Sequence, residues 1–180
     1  LESVTIPDSI LVIGFCAFSN CKSLESITIP GSIKELYGFQ YCENLKELNI
    51  LDGVEVIGIQ AFCGCTNLKS ITIPNSVTQI APQAFSNCTS LESITIPDSV
   101  TEINNSFYNC TSLKSVTIPD NVKINDNAFG ECTGLRSLSL PDNVKVSSTA
   151  FSGCDGLTVT YKGNEYNYTS WRDLYIATGG

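Results

Sequence analysis

Nine cysteines in 180 residues are the side chains best equipped for chemistry in this sequence. Seven of them recur in one frame, F-x-x-C-x-x-L, which starts at Phe18, Phe39, Phe62, Phe85, Phe107, Phe129 and Phe151. The frame places Cys21, Cys42, Cys65, Cys88, Cys110, Cys132 and Cys154 in register; Cys16 and Cys63 fall outside it. Thiolates at fixed spacing can ligate a metal, close disulfides or act as nucleophiles. A zinc site needs four ligands converging at about 2.3 Å from the metal. Four ladder cysteines in stacked coils would instead span roughly 14 Å, at about 4.8 Å per coil. Nucleophilic catalysis needs an exposed thiolate and a base, and the sequence contains no histidine. Neighbouring ladder cysteines would lie about 5 Å apart in Cα, inside the disulfide window. Parallel Cβ vectors and an odd count oppose that pairing. The reading favoured by the spacing is a buried free thiol: each cysteine stands three residues after a phenylalanine, where an inward residue of one turn belongs, and free Cys is among the most buried residue types.

The element that must position this ladder is an internal repeat. Aligned on the leucine after each cysteine, units begin at Leu1, Leu24, Leu45, Leu68, Leu91, Leu113, Leu135 and Leu157. Seven near-complete units fill residues 1–156, and the eighth degenerates. Length changes fall in one place only, between the Val or Ile after the proline and the next Phe, as in Ile33–Phe39 against Val77–Phe85. In the unit LKSITIPNSVTQIAPQAFSNCTS (68–90), alternation puts Ile71 and Ile73 on one face and Ser70 and Thr72 on the other, which predicts a strand. The following proline cannot donate to a ladder and stops it. The A-F-x-x-C-x-x-L arc has apolar residues three apart and predicts a helical or 3₁₀ turn. One unit cannot bury its inward face alone; stacked units can, with a continuous core and parallel strands.

These residues, L-x-x-I-x-I-P-x-S-V-x-x-I-x-x-x-A-F-x-x-C over nearly the whole chain, resemble the leucine-rich repeat of the BspA, or Treponema pallidum, type. The resemblance implies a right-handed repeat solenoid with a parallel β-sheet on the concave face and short turns elsewhere. It also implies a bacterial or protist protein of the cell surface or exterior, of a kind implicated in adhesion to host proteins. The second unit departs from the pattern by being two residues short and carrying Tyr37, Gly38 and Tyr41; the third has Leu51 where the proline belongs.

Residues 157–180 leave the repeat and read as a C-terminal cap. LTVTYKGNEYNYT alternates on both sides of Gly163-Asn164, which predicts a hairpin. Ser170 with Asp173 three residues on approaches a capping box, so a short helix is expected from Trp171 to Ala177. Trp171 and Leu174 should pack on the last coil. The chain starts within a repeat and contains no Met, which suggests a piece of a longer protein.

Binding surfaces belong to outward positions. The strands present two polar ranks, one through Ser3, Ser26, Glu47, Ser70, Ser93, Ser115 and Ser137, the other through Thr5, Thr28, Asn49, Thr72, Thr95, Thr117 and Ser139. They form either a solvated sheet face or a solenoid's binding surface. Their lack of Trp, Tyr and Arg is unlike an interaction hot spot, and curvature with no strict Thr-x-Thr argues against ice binding. Tyr37, Tyr41, Leu51 and Tyr108 are large side chains where other units carry Asn, Gly or Ser, and are candidate protein contacts together with Thr28, Asn49, Thr72 and Thr95. Packing over a shortened coil is the competing explanation. The acidic rank Asp8, Asp52, Asp98, Asp120 and Asp142 places single carboxylates one coil apart, too sparse for a calcium cage of six to eight oxygens. Sequons at Asn87, Asn104, Asn109 and Asn167 matter only where the source glycosylates.

Composition bounds the rest. Hydrophobic content of 42% with 16% charge argues for a folded core. A net charge of −8, with no run of Lys or Arg, lacks the footprint of a nucleic-acid partner. No apolar run is long enough for a membrane span. The expected function is a non-enzymatic protein-interaction module with no cofactor or metal, part of an adhesin; the alternative is a rigid spacer in a larger surface protein.

Overall fold

The computed structural model describes residues 3–167 and 169–179, with only the backbone of Ser3. Leu1, the first repeat leucine, therefore lies outside the described residues. The chain is a parallel β-solenoid of about seven turns, and the Ile-x-Ile segments form its first rank of strands. Ser3–Thr5, Ser26–Ile29 and Glu47–Ile50 pair in parallel, in the register Thr5↔Thr28↔Asn49. Single bridges, Asn49↔Thr72 and Ser70↔Ser93, carry the rank to Ser93–Thr95 and Ser115–Thr117. It resumes at Ser137–Ser139, which pairs with Thr158–Tyr161. Alternation is obeyed: Ile27 and Ile29 are buried while Thr28 is exposed.

A second, more continuous sheet lies in the length-variable connection before each phenylalanine, where the sequence predicts no strand. Two-residue strands Glu35–Leu36, Val56–Ile57, Gln79–Ile80, Glu102–Ile103, Lys123–Ile124 and Lys145–Val146 join in one six-stranded parallel sheet. Two residues give too short an alternation to register as a period. The variable connection thus loses or gains residues around a strand pair that is itself retained.

The Phe–Cys arc closes through turns rather than a helix. Cys65 N–H bonds the Phe62 carbonyl at 3.2 Å and Leu68 N–H the Cys65 carbonyl at 3.2 Å, both spanning three residues. The residue before each ladder cysteine has a positive φ: Asn20, Tyr41, Gly64, Asn87, Asn109, Glu131 and Gly153. A left-handed residue there ends any helical run, and Asn and Gly adopt that conformation most easily. A second set of positive φ values, at Cys16, Gln60, Gln83, Asn105 and Asn127, stands two residues before Phe.

The core is one column. Phe39, Phe62, Phe85, Phe107 and Phe129 are wholly buried. From Phe18 to Phe151, successive rings stack with centroids 4.9–6.0 Å apart and planes within 11°. Trp171 closes the column at 5.6 Å from Phe151, tilted 49°, and Leu174 is buried beneath the helix Trp171–Ala177. Thr178 does what no sequence motif announced. Its Oγ1 accepts the N–H of Val146, on the last strand of the second sheet, at 3.1 Å. The expected capping box does not form: Ser170 Oγ instead accepts from Asn167 N–H at 2.8 Å. The hairpin turn falls one residue earlier than expected. Tyr161 pairs with Asn164, so Lys162 and Gly163 make the turn, both with positive φ as a tight hairpin requires.

Candidate interaction surfaces

The ladder cysteines are placed by the stacked phenylalanines. Cys42, Cys65, Cys88, Cys110, Cys132 and Cys154 are buried free thiols; Cys21, in the first coil, is half-buried. Each buried thiol donates to the carbonyl of the phenylalanine one coil back. Cys88 Sγ reaches the Phe62 carbonyl at 3.3 Å, and the other five make the same bond at 3.1–3.4 Å. Burial pushes the thiols up, Cys42 to about 11 and Cys154 to about 12. Cys88, wholly desolvated, is raised well beyond its ordinary value. The site chemistry of these cysteines is therefore a hydrogen bond between coils, with the nucleophilic thiolate suppressed. Among the described residues, no group of three or more His, Cys, Asp or Glu side chains could hold a metal.

The outward face of the first sheet is hollow in its N-terminal half. A groove of about 600 Å³ is floored by Ser26, Thr28, Glu47, Asn49, Ser70 and Thr72, with Val4, Ile6, Asp8, Lys46 and Leu51 among its walls. Thr28, Asn49, Thr72 and Leu51 thus come together as one surface. Thr95, one coil further on, is exposed but outside the groove.

Tyr37, Tyr41 and Leu51 do not form one cluster. Leu51 follows the first sheet, whereas Tyr37 follows the second and Tyr41 sits in the Phe–Cys arc. Each tyrosine covers a glycine one coil on. A Cβ on Gly58 would lie 1.9 Å from the Tyr37 ring, one on Gly64 2.5 Å from the Tyr41 ring, and one on Gly130 3.0 Å from the Tyr108 ring. The pairing was readable in outline as Tyr in one unit and Gly about a period later, but only with the coil register known. Tyr41 still leaves 47% of its surface exposed.

Sequence reasoning missed the first coil. Leu11, Val12 and Phe15 are 66%, 75% and 61% exposed, and Ile59 in the third coil is 52% exposed. With Ile10, Tyr41 and Leu51 they make every large exposed apolar side chain among the described residues of the first seven units; the other two, Tyr175 and Ile176, are on the helix. Of the four sequons, Asn104 and Asn167 are exposed, whereas Asn87 and Asn109 are half-buried and bonded to each other at 2.8 Å.

Parallel coils, a leucine at every turn and an apolar column define a leucine-rich-repeat protein. The chain belongs to the BspA type leucine rich repeat region family, which matches residues 1–38 and 35–158 in six copies. Among solved structures it is similar to the T. pallidum leucine rich repeat protein, with 28% identity and a TM-score of 0.85 over 99% of this chain and 84% of that one. It is also similar to a leucine-rich repeat protein from Bacteroides ovatus, with 33% identity and a TM-score of 0.81 over 89% of this chain and 45% of that one. A leucine rich cell surface protein from Faecalibacterium prausnitzii matches with 34% identity and a TM-score of 0.79, over 91% of this chain and 48% of that one. The chain therefore spans less than half the length of the last two. No curated protein matches it. Repeat proteins of this class generally serve protein interaction through the extended surface that stacking creates. Among the described residues no helix is long and apolar enough to cross a membrane.

Proposed function

We propose that this chain is a non-enzymatic interaction module of a secreted or cell-surface protein, and that it binds a partner polypeptide in the groove on the first sheet. The observation that carries the reading is the groove itself, where Thr28, Asn49 and Thr72 stand in one register above a buried isoleucine row, with Leu51 as an apolar wall. Aligned hydroxyl and amide groups offer hydrogen bonds along an extended chain, and a solenoid repeats that offer at each coil. A surface location is supported by the Faecalibacterium prausnitzii relative, a leucine rich cell surface protein. Host matrix or cell-surface proteins are the partners this predicts, through residues 1–156, with residues 157–180 as the closing cap.

The test immobilises the whole chain and screens purified extracellular-matrix and cell-surface proteins by interferometry. At least one should bind, and Asn49→Trp and Thr72→Trp, which fill the groove from exposed positions, should abolish that binding without lowering the melting temperature. A binder indifferent to both variants would move the site elsewhere. Silence across the panel would favour the second reading, a rigid spacer. That reading has its own support: units four to seven present no large exposed apolar side chain among the described residues.

A further inference from the structure

Three residues ahead of the stacked phenylalanine, each coil turns a corner. The side chains there run Phe15, Ile59, Pro82, Asn104, Asp126 and Ser148; the shortened second coil places Tyr37 at the same corner. Apolar character is confined to the N-terminal end. The rings of Phe15 and Tyr37 stand 6.2 Å apart at 53°, a tilted pair in contact whose Phe15 ring is largely exposed. Tyr37 is held by its seat on Gly58, and its hydroxyl donates to the Glu35 carboxylate at 3.2 Å. Leu11, Val12 and Ile59 are exposed in the same coils.

Charge selects the occupant. The cations of the first three units are Lys22, Lys34 and Lys46, and all are engaged, with Glu43, Glu55 and Glu25 at 3.0–3.2 Å. Asp8, Glu35, Glu47 and Asp52 have no cation among the described residues. Two aromatic faces beside an uncompensated carboxylate are complementary to a guanidinium or ammonium group, which gains from ring quadrupole and carboxylate together. A second copy of this chain would bring a net charge of −8, so overall charge opposes self-association here.

We propose that the corner formed by Phe15, Tyr37 and Glu35 is a docking point, separate from the groove, for a partner polypeptide that presents an arginine or lysine flanked by apolar residues. The cationic side chain lies over the exposed Phe15 ring beside the Glu35 carboxylate, and its apolar neighbours cover Val12 and Ile59.

The probes are two short peptides, acetyl-Leu-Arg-Leu-amide and acetyl-Leu-Gln-Leu-amide, titrated into the isotope-labelled whole chain and followed by amide shifts. The arginine peptide should shift the amides around Phe15, Glu35 and Tyr37 saturably and bind about 2–5-fold more tightly than the glutamine peptide. Its binding should weaken as salt is added. Phe15→Ala and Glu35→Gln, both at exposed positions, should each erase that preference and leave the melting temperature unchanged. Equal binding of the two peptides, shifts centred on other residues, or the absence of saturation would each overturn the proposal. Sedimentation velocity decides the alternative occupant: a dimer dissolved by Phe15→Ala would replace the partner segment with a second copy.

Discussion

At the residue scale, the cysteines are donors before they are anything else. Cys88→Ala removes the hydrogen bond to the buried Phe62 carbonyl, and leaving a buried acceptor unmade costs about 1–3 kcal/mol. Urea unfolding should show that loss for Cys88 and a smaller one for the half-buried Cys21. A thiol reagent should label exposed Cys16 quickly in the native protein and the six buried ladder thiols only after denaturation; rapid native labelling of Cys88 would contradict its burial. The same thiols set a pH dependence. Cys42 is raised from its ordinary 9.0 to about 11, and Cys154 to about 12, both mainly by burial. Below pH 9 both folded and unfolded chains hold these protons, so their contribution is intact. Above it the unfolded chain loses them first, so stability falls as pH rises and levels once the folded thiols ionise. The decline in urea midpoint from pH 8 to 11 should be shallower in Cys42→Ala than in the parent. The burial of these thiols was legible because Phe, Cys and Leu keep fixed distances. Their carbonyl partners were not, because a contact 24 to 26 residues away in sequence needs the coil register.

At the element scale, the phenylalanine column and its lid bear the load. Phe85 is wholly buried between Phe62 and Phe107. Truncation to alanine should cost about 3–5 kcal/mol in a denaturation curve. Thr178→Val should cost about 1–3 kcal/mol by stranding the N–H of Val146. If Thr178→Val leaves stability unchanged, water reaches that amide and the lid is looser than drawn. The first-sheet strands were legible because alternation carries a clear period, and the helix Trp171–Ala177 was legible from Ser170 and Asp173, although the capping box they suggested does not form. The second sheet was not, because each strand has two residues, and neither was the left-handed residue before each cysteine. In hindsight the run Asn20, Gly64, Asn87, Asn109 and Gly153 signals it, and Tyr41 and Glu131 break the signal.

At the scale of the whole molecule, the solenoid is a chain of nearest-neighbour interfaces, and its stability should track the number of coils. Removing residues 68–90 deletes one full period and leaves Tyr37 on Gly58 and Tyr41 on Gly64. Removing residues 45–67 also deletes one period but sets those rings against Ala81 and Asn87. Overpacking of that kind costs about 1–3 kcal/mol, so the second deletion should melt well below the first in calorimetry. Equal melting of the two would mean the tyrosines swing free. The repeat architecture was legible, but the groove and the apolar N-terminal corner were not, because both gather side chains from separate coils.

The tyrosine–glycine seats have a consequence for how such a gene can change. Tandem repeats invite unequal crossing-over, which adds or drops whole periods at little cost wherever neighbouring coils are interchangeable. Here a tyrosine in one period requires a glycine in the next, so Tyr37–Gly58, Tyr41–Gly64 and Tyr108–Gly130 behave as linked alleles. Recombination that separates such a pair leaves a clash at the junction, whereas recombination that respects it is nearly silent. The second and third units, and the fifth and sixth, should therefore each be inherited as a block, while the number of the remaining coils is free to drift.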